Sequence, residues 1–374
     1  MKRHGKPVSI RIKTLNGQVE YKRDYYYCRK CRSGINPRDE ELGIDGLKHK
    51  ITKELMAEIA FYGQNQPSFD RARRIINKAL KLDINEETIR QVTETVGEIV
   101  FKQDTERAEE TLRNIHRIGN ESEPTNKNKV LYIQIDGAAV NTRIQDDDGS
   151  TWKENKTVLA FADSDIIQRK DGGHIITKKE YMPFIGTSEE FKKYVLDVAV
   201  RAGYGTTVEK VVVIADGALW IRTICDEIFP DAIMILDLYH LRENIYTYAK
   251  HKFPGNTAKY TAWSEAAIKM VESENAEKLL EQLPEGEKLP TGCVNLRNYI
   301  TCNLDRIKYQ EYWKAGYFVG SGAIESGNKL IVQQRLKQAG MRWSVKGAQS
   351  VLSLRAKDES TLWDNVVIPA VKAA

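Results

Sequence analysis

Two stretches of the chain are built alike: Lys129–Gly137 reads KVLYIQIDG, and Lys210–Gly217 reads KVVVIADG. Each is a run of β-formers without an internal turn residue, the pattern of a strand buried on both faces. Each closes on Asp-Gly, so a carboxylate sits where the strand stops and a glycine lets the backbone turn away. Side by side in one sheet, such strands put Asp136 and Asp216 at one edge. Two close carboxylates repel unless a proton or cation lies between them, so the pair invites metal ions. Taken singly, either Asp-Gly reads as an ordinary turn. The pair points to function.

The chain before these strands has a different character. Val8–Thr14 alternates, Asn16-Gly17 marks a hairpin, and Gln18–Tyr27 returns as a strand. Cys28 and Cys31 follow at knuckle spacing, which is half a tetrahedral zinc site. The pair reads as an incomplete zinc ribbon, as a Zn²⁺ site completed by His4 and one more group, or as two inert thiols. Helices are expected over Leu47–Tyr62, Ser68–Leu82 and Glu86–Phe101, the last capped by Asn85. The final two resemble a helix-turn-helix, although the second carries Glu86, Glu87, Glu94 and Glu98 against one Arg90. Asn120–Asn128 is polar and reads as a linker.

Beyond the linker the order is strands Lys129–Ile135, Trp152–Ala162 and His174–Phe184, with the acidic tip Asp146-Asp147-Asp148-Gly149 between the first two. Then come a helix Ser188–Ala202 capped by Ser188, a strand Val211–Ala215, a helix Ala218–Ile228, a strand Ala232–Leu236 and a helix from Tyr239. Residues 254–312 read as a helical insertion, clearest over Thr257–Val271 and Asn275–Gln282.

Charge adds a second constraint. The 374-residue chain has a net charge of +5, yet residues 1–38 carry +9 and residues 326–357 carry +7 without a single acid, leaving −11 for the rest. Two basic segments on an acidic protein suggest a polyanion, nucleic acid first; a solvated lysine-rich face is the plainer alternative. No segment has the length of a membrane span, and the basic start lacks a signal peptide's apolar run. Five scattered cysteines fit a reducing interior. A cytoplasmic protein is expected.

Three strands, then alternating helix and strand, with carboxylates ending the first and fourth strands, resembles the ribonuclease H-like fold of DDE transposases and retroviral integrases. The segment Lys314–Lys329, KAGYFVGSGAIESGNK, is similar to the third-carboxylate motif of a bacterial and archaeal insertion-sequence transposase group, with Glu325 as the acid. The likeness runs on through Arg335–Ser344 and upstream through Asn303, Arg306 and Tyr309. It includes Asp237-Leu238-Tyr239-His240, similar to an Asp/Cys-x-x-His element of Mutator-like transposases, and so spans most of residues 129–357. Two departures stand out: the start carries fewer zinc ligands than usual, as a truncated N-terminus would, and Val332 stands where a Lys or Arg often follows the Glu.

The resemblance implies an α/β chain in five parts: a hairpin or partial zinc ribbon (1–46), a helix-turn-helix-like DNA-binding domain (47–119), the first part of a catalytic core (129–253), the helical insertion (254–312), and core completion with a basic segment (313–374). It implies metal-dependent DNA cleavage and strand transfer by a homo-oligomer, with Mg²⁺ or Mn²⁺ on Asp136, Asp216 and Glu325, Asp136 bridging. The three carboxylates are expected within about 10 Å of one another, since paired ions sit ~4 Å apart. His240 would orient DNA or relay a proton, or would simply be bonded to Asp237. Lys329, Arg335 and Arg342 are expected on DNA phosphates, Lys329 alternatively on Glu325. Trp220 and Trp343 fit base stacking but more often lie in a core. The competing readings are a nuclease of the same fold that cuts without joining, and an inactive DNA-binding remnant. A hydrolase or phosphatase with Asp136 as nucleophile would want an aspartate at Ala138, and is set aside.

Overall fold

The computed structural model describes residues 1–44, 48–117, 130–147, 149–206, 208, 210–290, 292–366 and 368. The expected linker Asn120–Asn128 lies outside them, as do Leu47, Lys129 and Asp148. The chain divides into two units, one of Met1–Glu106, Val140–Lys153 and Leu330–Ala374, the other of Arg107–Ala139 and Glu154–Lys329. The division does not follow the expected five parts: residues beyond Leu330 group with the N-terminal segment, and the cut falls inside a helix.

The second unit is built on a mixed five-stranded sheet. Across it lie Glu180–Ile185, Trp152–Ala162, Val130–Asn141, Lys210–Ala215 and Ile233–Leu236. Glu180–Ile185 is antiparallel to Trp152–Ala162, whereas Lys210–Ala215 runs parallel to both of its neighbours. The apolar runs Val130–Ile135 and Val211–Ala215 are buried throughout, as strands covered on both faces must be. Ala215 is in register with Ile135 on one side and Leu236 on the other. The residues that follow these three are Asp136, Asp216 and Asp237, so the register itself sets three acids level.

The first of these strands does not stop at Asp136-Gly137 as expected. It continues to Asn141, and its burial changes there from continuous to alternating. Gly137 serves a close approach instead of a turn: a methyl group on it would meet Glu154 Oε1 at 2.7 Å. The expected strand His174–Phe184 is two elements, because the polar Thr177–Lys179 breaks it. His174–Ile176 pairs with Ile166–Gln168 in a separate hairpin, and Glu180–Ile185 alone joins the sheet. The helix Ser188–Arg201 is capped by Thr187, one residue before the expected Ser188, in a reciprocal bond with Glu190. At the free edge, the Tyr312 and Tyr309 hydroxyls donate to the Met234 and Leu236 carbonyls at 3.3 and 2.9 Å, covering groups that would otherwise recruit another strand. The insertion supplies Thr257–Glu272 and Ala276–Glu281, as the sequence suggested.

In the first unit, Val8–Thr14 and Gly17–Arg23 form the expected hairpin, with Gly17 at φ 108°. Tyr26–Cys28 leaves that hairpin to pair with Lys2–Arg3 and Ser33–Ile35. Helices follow at Lys53–Asn65, Phe69–Leu80 and Glu86–Arg113. Ser68 caps the second through Arg71 N, and Asn85 caps the third through Thr88 N. A further helix, Val345–Glu359, is buried continuously from Gly347 to Ala356, which makes it part of this unit's core.

Candidate active site

Asp136, Asp216, His240 and Glu325 are the expected site residues of the second unit. Asp136 and Asp216 are set level by the sheet. Glu325 lies on a short helix, Gly322–Asn328, which side chains of the first strand dock. Gln134 Oε1 accepts from Ile324 N at 2.9 Å, and its Nε2 donates to the Gly320 carbonyl at 3.3 Å. Two residues on, and therefore on the same face of the strand, Asp136 Oδ2 accepts from Asn328 Nδ2 at 2.7 Å. Asn328 is oriented in turn by Thr157, whose hydroxyl donates to its Oδ1 at 2.8 Å. The helix can sit this close because Gly327 has no side chain: a methyl there would meet the Tyr181 ring at 2.5 Å.

Asp237 was read only as a partner for His240, but it is a centre of the site. It is fully buried and caps the helix Leu238–Lys252 through Tyr239 N and His240 N. It also accepts from Ser321 N at 2.9 Å and Ser321 Oγ at 2.8 Å, and from the His240 ring. Burial opposes its charge, but the bonds from His240 and Ser321 outweigh burial and lower its pKa. His240 is held as a cation. Its bond to Asp237 lifts it to about 9 against the cost of burial, with Asp136 and Asp216 adding to the attraction. Asp136 moves the other way: burial raises its pKa, the bonds from Asn328 and Gly137 N and the charge of His240 resist, and Asp216 adds repulsion. Asp216 Oδ1 accepts from Ala218 N at 2.9 Å.

Among the described residues, one group of three ligand-type side chains lies with its atoms within 4.8 Å of one another: Asp237, His240 and Glu325. This is not the expected trio, although the charges of Asp136 and Asp216 act on the same His240. The donor set fits a hard divalent cation. Ser321 Oγ lies 2.8 Å from both Asp237 Oδ2 and Glu325 Oε1, and one hydroxyl proton satisfies only one of them. With Asp136 and Asp216 alongside, the site holds more negative charge than His240 balances, carried by the oxygen ligands that Mg²⁺ and Mn²⁺ prefer.

The cations expected on DNA have diverse surroundings. Lys329 and Arg342 are exposed. Arg335 is not available to a phosphate: it is 1% exposed, donates to the Gly63 and Pro67 carbonyls, and lies over the Phe69 and Trp343 rings. Trp343 is correspondingly a core residue. Arg355 is buried on the carbonyls of Leu330, Ile331 and Gln64, while Lys346 and Lys357 pair with Glu98 and Asp104. Of the seven cations in the acid-free segment, four are thus bound within the first unit itself. In the helix-turn-helix-like segment, Arg90 is tied to Glu87 and Glu94. Cys28 and Cys31 are free thiols on a hairpin, and among the described residues no third ligand joins them.

Sequence reading missed Gln134, Asn328, Ser321 and the weight of Asp237. Gln134 was findable, as a polar residue inside an otherwise apolar buried run two positions before Asp136. The pairing of Asn328 with Asp136 joins residues far apart in sequence and left no local trace.

Compared with known proteins, residues 5–368 match UPF0236, an uncharacterised protein family. A UPF0236 protein of Caldanaerobacter subterraneus subsp. tengcongensis is 23% identical over 351 residues, 92% of this chain and 66% of its own length. The UPF0236 protein in the vanSb 3' region of Streptococcus gallolyticus is 22% identical over 363 residues, 95% of this chain and 74% of its own. The chain thus spans about two thirds to three quarters of the length of these relatives.

Proposed function

This chain belongs to the UPF0236 family, and we propose that it is a DDE-type transposase whose second unit is a ribonuclease H-like core. The observation that carries the reading is the register of Ile135, Ala215 and Leu236, which sets Asp136 and Asp216 level, with the Glu325 helix docked on the first strand through Gln134 and Asn328. The reading is also supported by the mixed sheet, with the first three strands on one side and the fourth and fifth parallel to the first. A further support is the name of the Caldanaerobacter relative, which joins eleven locus designations of one strain, the multiplicity a mobile gene leaves.

In this reading Asp136, Asp216 and Glu325 hold the divalent ions. Bound there, Mg²⁺ or Mn²⁺ would activate the attacking oxygen and stabilise the leaving one. The protein's own groups do the rest. Asn328 fixes the orientation of Asp136, and Ser321 joins Glu325 to Asp237. His240, held as an imidazolium by Asp237, offers its second ring nitrogen as a donor to a phosphate oxygen. Lys329 and Arg342 hold DNA backbone, and the active form is a homo-oligomer working in the cytoplasm. Among the described residues no helix is long and apolar enough to cross a membrane.

The test is incubation with DNA carrying the sequences that flank the gene, with Mg²⁺ or Mn²⁺. Nicked and joined products are expected from the wild type and neither from Glu325→Gln. Cleavage without joining would make the chain a nuclease. Cleavage by Glu325→Gln at the wild-type rate would move the site elsewhere. One second reading has an observation of its own: Cys28 and Cys31, which no third ligand joins among the described residues, fit a DNA-binding remnant, which would bind the same DNA without cutting it.

A further inference from the structure

Asn303, Arg306 and Tyr309 are 1%, 2% and 0% exposed, and the site described so far uses none of them. They lie three residues apart across the turn Leu304–Arg306 and the start of the helix Tyr309–Lys314. Arg306 Nη2 donates to Asn303 Oδ1, and Asn303 Nδ2 donates to the Tyr299 carbonyl at 2.7 Å. The same Nδ2 and the Tyr299 ring stand against Gly217, where an added methyl would meet Tyr299 Cε2 at 2.5 Å and Asn303 Nδ2 at 3.1 Å. Gly217 is the residue after Asp216. Tyr309 bonds to Leu236, the residue before Asp237. From the helix that follows Asp216, Arg222 reaches back to the Cys302 carbonyl at 3.3 Å and to Asp305 at 2.9 Å. The turn at 302–306 is therefore fastened beside two of the site's acids.

An arginine is a costly residue to place there. Its Nε and Nη1 are buried without a hydrogen bond, and among the described residues it has no ion pair with a carboxylate. A buried charge left unpaired is destabilising, and an apolar side chain would fill the space at less cost. What Arg306 supplies and an apolar residue cannot is a charge-assisted bond to Asn303 Oδ1. That bond fixes which way the amide points, leaving Nδ2 toward Tyr299 and Gly217.

We propose that Arg306 is a positioning residue: through Asn303 it holds the Asp216-Gly217 turn where Asp216 can share a divalent cation with the neighbouring acids. The inference rests on the metal-site reading above. It is tested by thermal unfolding of the whole chain, free of DNA, across a Mn²⁺ titration. Wild type should gain stability with Mn²⁺. Arg306→Met, which removes the charge and keeps much of the volume, should still unfold cooperatively without metal but need about 10–100-fold more Mn²⁺ for the same gain. Asn303→Ala should show a like loss, and the double variant should lose no more than either single one, because the two act as a unit. If Arg306→Met does not fold, Asn303→Ser carries the same demand. Variants that lower the metal-free Tm yet keep the wild-type Mn²⁺ dependence would overturn the positioning role alone. A wild type indifferent to Mn²⁺ would remove the metal-site reading and the inference with it.

Discussion

Ser321 has one proton and two carboxylates competing for it, and the same shortage of positive charge runs through the neighbouring side chains. His240 makes up part of it. Its pKa is raised from 6.5 to about 9 by Asp237 first, so its contribution to stability is complete below pH 6.5 and lost as pH rises through about 9. In metal-free buffer the wild type should lose on the order of 2 kcal/mol across that window, and His240→Gln should flatten this part of the profile. Asp136 is raised by burial, so its charged form is the strained one at neutral pH. Asp136→Asn should therefore raise the metal-free Tm while abolishing Mn²⁺ stabilisation and DNA cleavage; a variant that keeps its Mn²⁺ response would place the ion elsewhere. The basic segment separates into two kinds of residue. Arg335→Gln should cost about 1–3 kcal/mol by leaving buried carbonyls unsatisfied, with the salt dependence of DNA binding unchanged. Lys329→Gln and Arg342→Gln should do the reverse, each flattening the salt slope by roughly 0.9. Charge counting could not distinguish these groups, because a sequence window records sign but not burial.

Among elements, periodicity was a good guide where an apolar face exists and a poor one where it ends. The helix Glu86–Arg113 was expected to stop at Phe101, where its apolar repeat fades into KQDTERAEETLR, yet those residues are sound helix formers and the helix continues to Arg113. The strand through Asp136 was expected to turn at Gly137, because Asp-Gly signals a turn only when no partner strand continues beside it. The buried strands Val130–Ile135 and Val211–Ala215 were legible, since such strands announce themselves as apolar runs; how the strands are ordered across the sheet and which helix docks where were not. Gly97 illustrates the latter. A methyl group on it would lie 2.2 Å from the Ser350 carbonyl oxygen, so the helices Glu86–Arg113 and Val345–Glu359 touch backbone to backbone there. Gly97→Ala should cost about 1–3 kcal/mol by overpacking despite its better helix propensity, a balance that urea unfolding would read directly.

At the scale of the molecule, the first unit is assembled from distant segments, and its buried helix Val345–Glu359 follows the whole of the second unit in sequence. A fragment of residues 1–106 should consequently lack a sharp thermal transition, and adding peptides 140–153 and 330–374 should restore one; a cooperative transition in the fragment alone would contradict this. The five-part scheme read from the sequence could not anticipate such a division, because hydropathy and linkers register along the chain and not across it. The same assembly has a consequence in time. Leu55, Ile59, Ile89 and Val96 are almost completely buried in the finished protein, yet the helix that completes their unit is synthesised more than two hundred residues later. At about 5–20 residues per second on the ribosome, these side chains wait tens of seconds for it. During that interval these apolar side chains lack the helix that buries them, and a chain released before residue 345 should leave its N-terminal unit open.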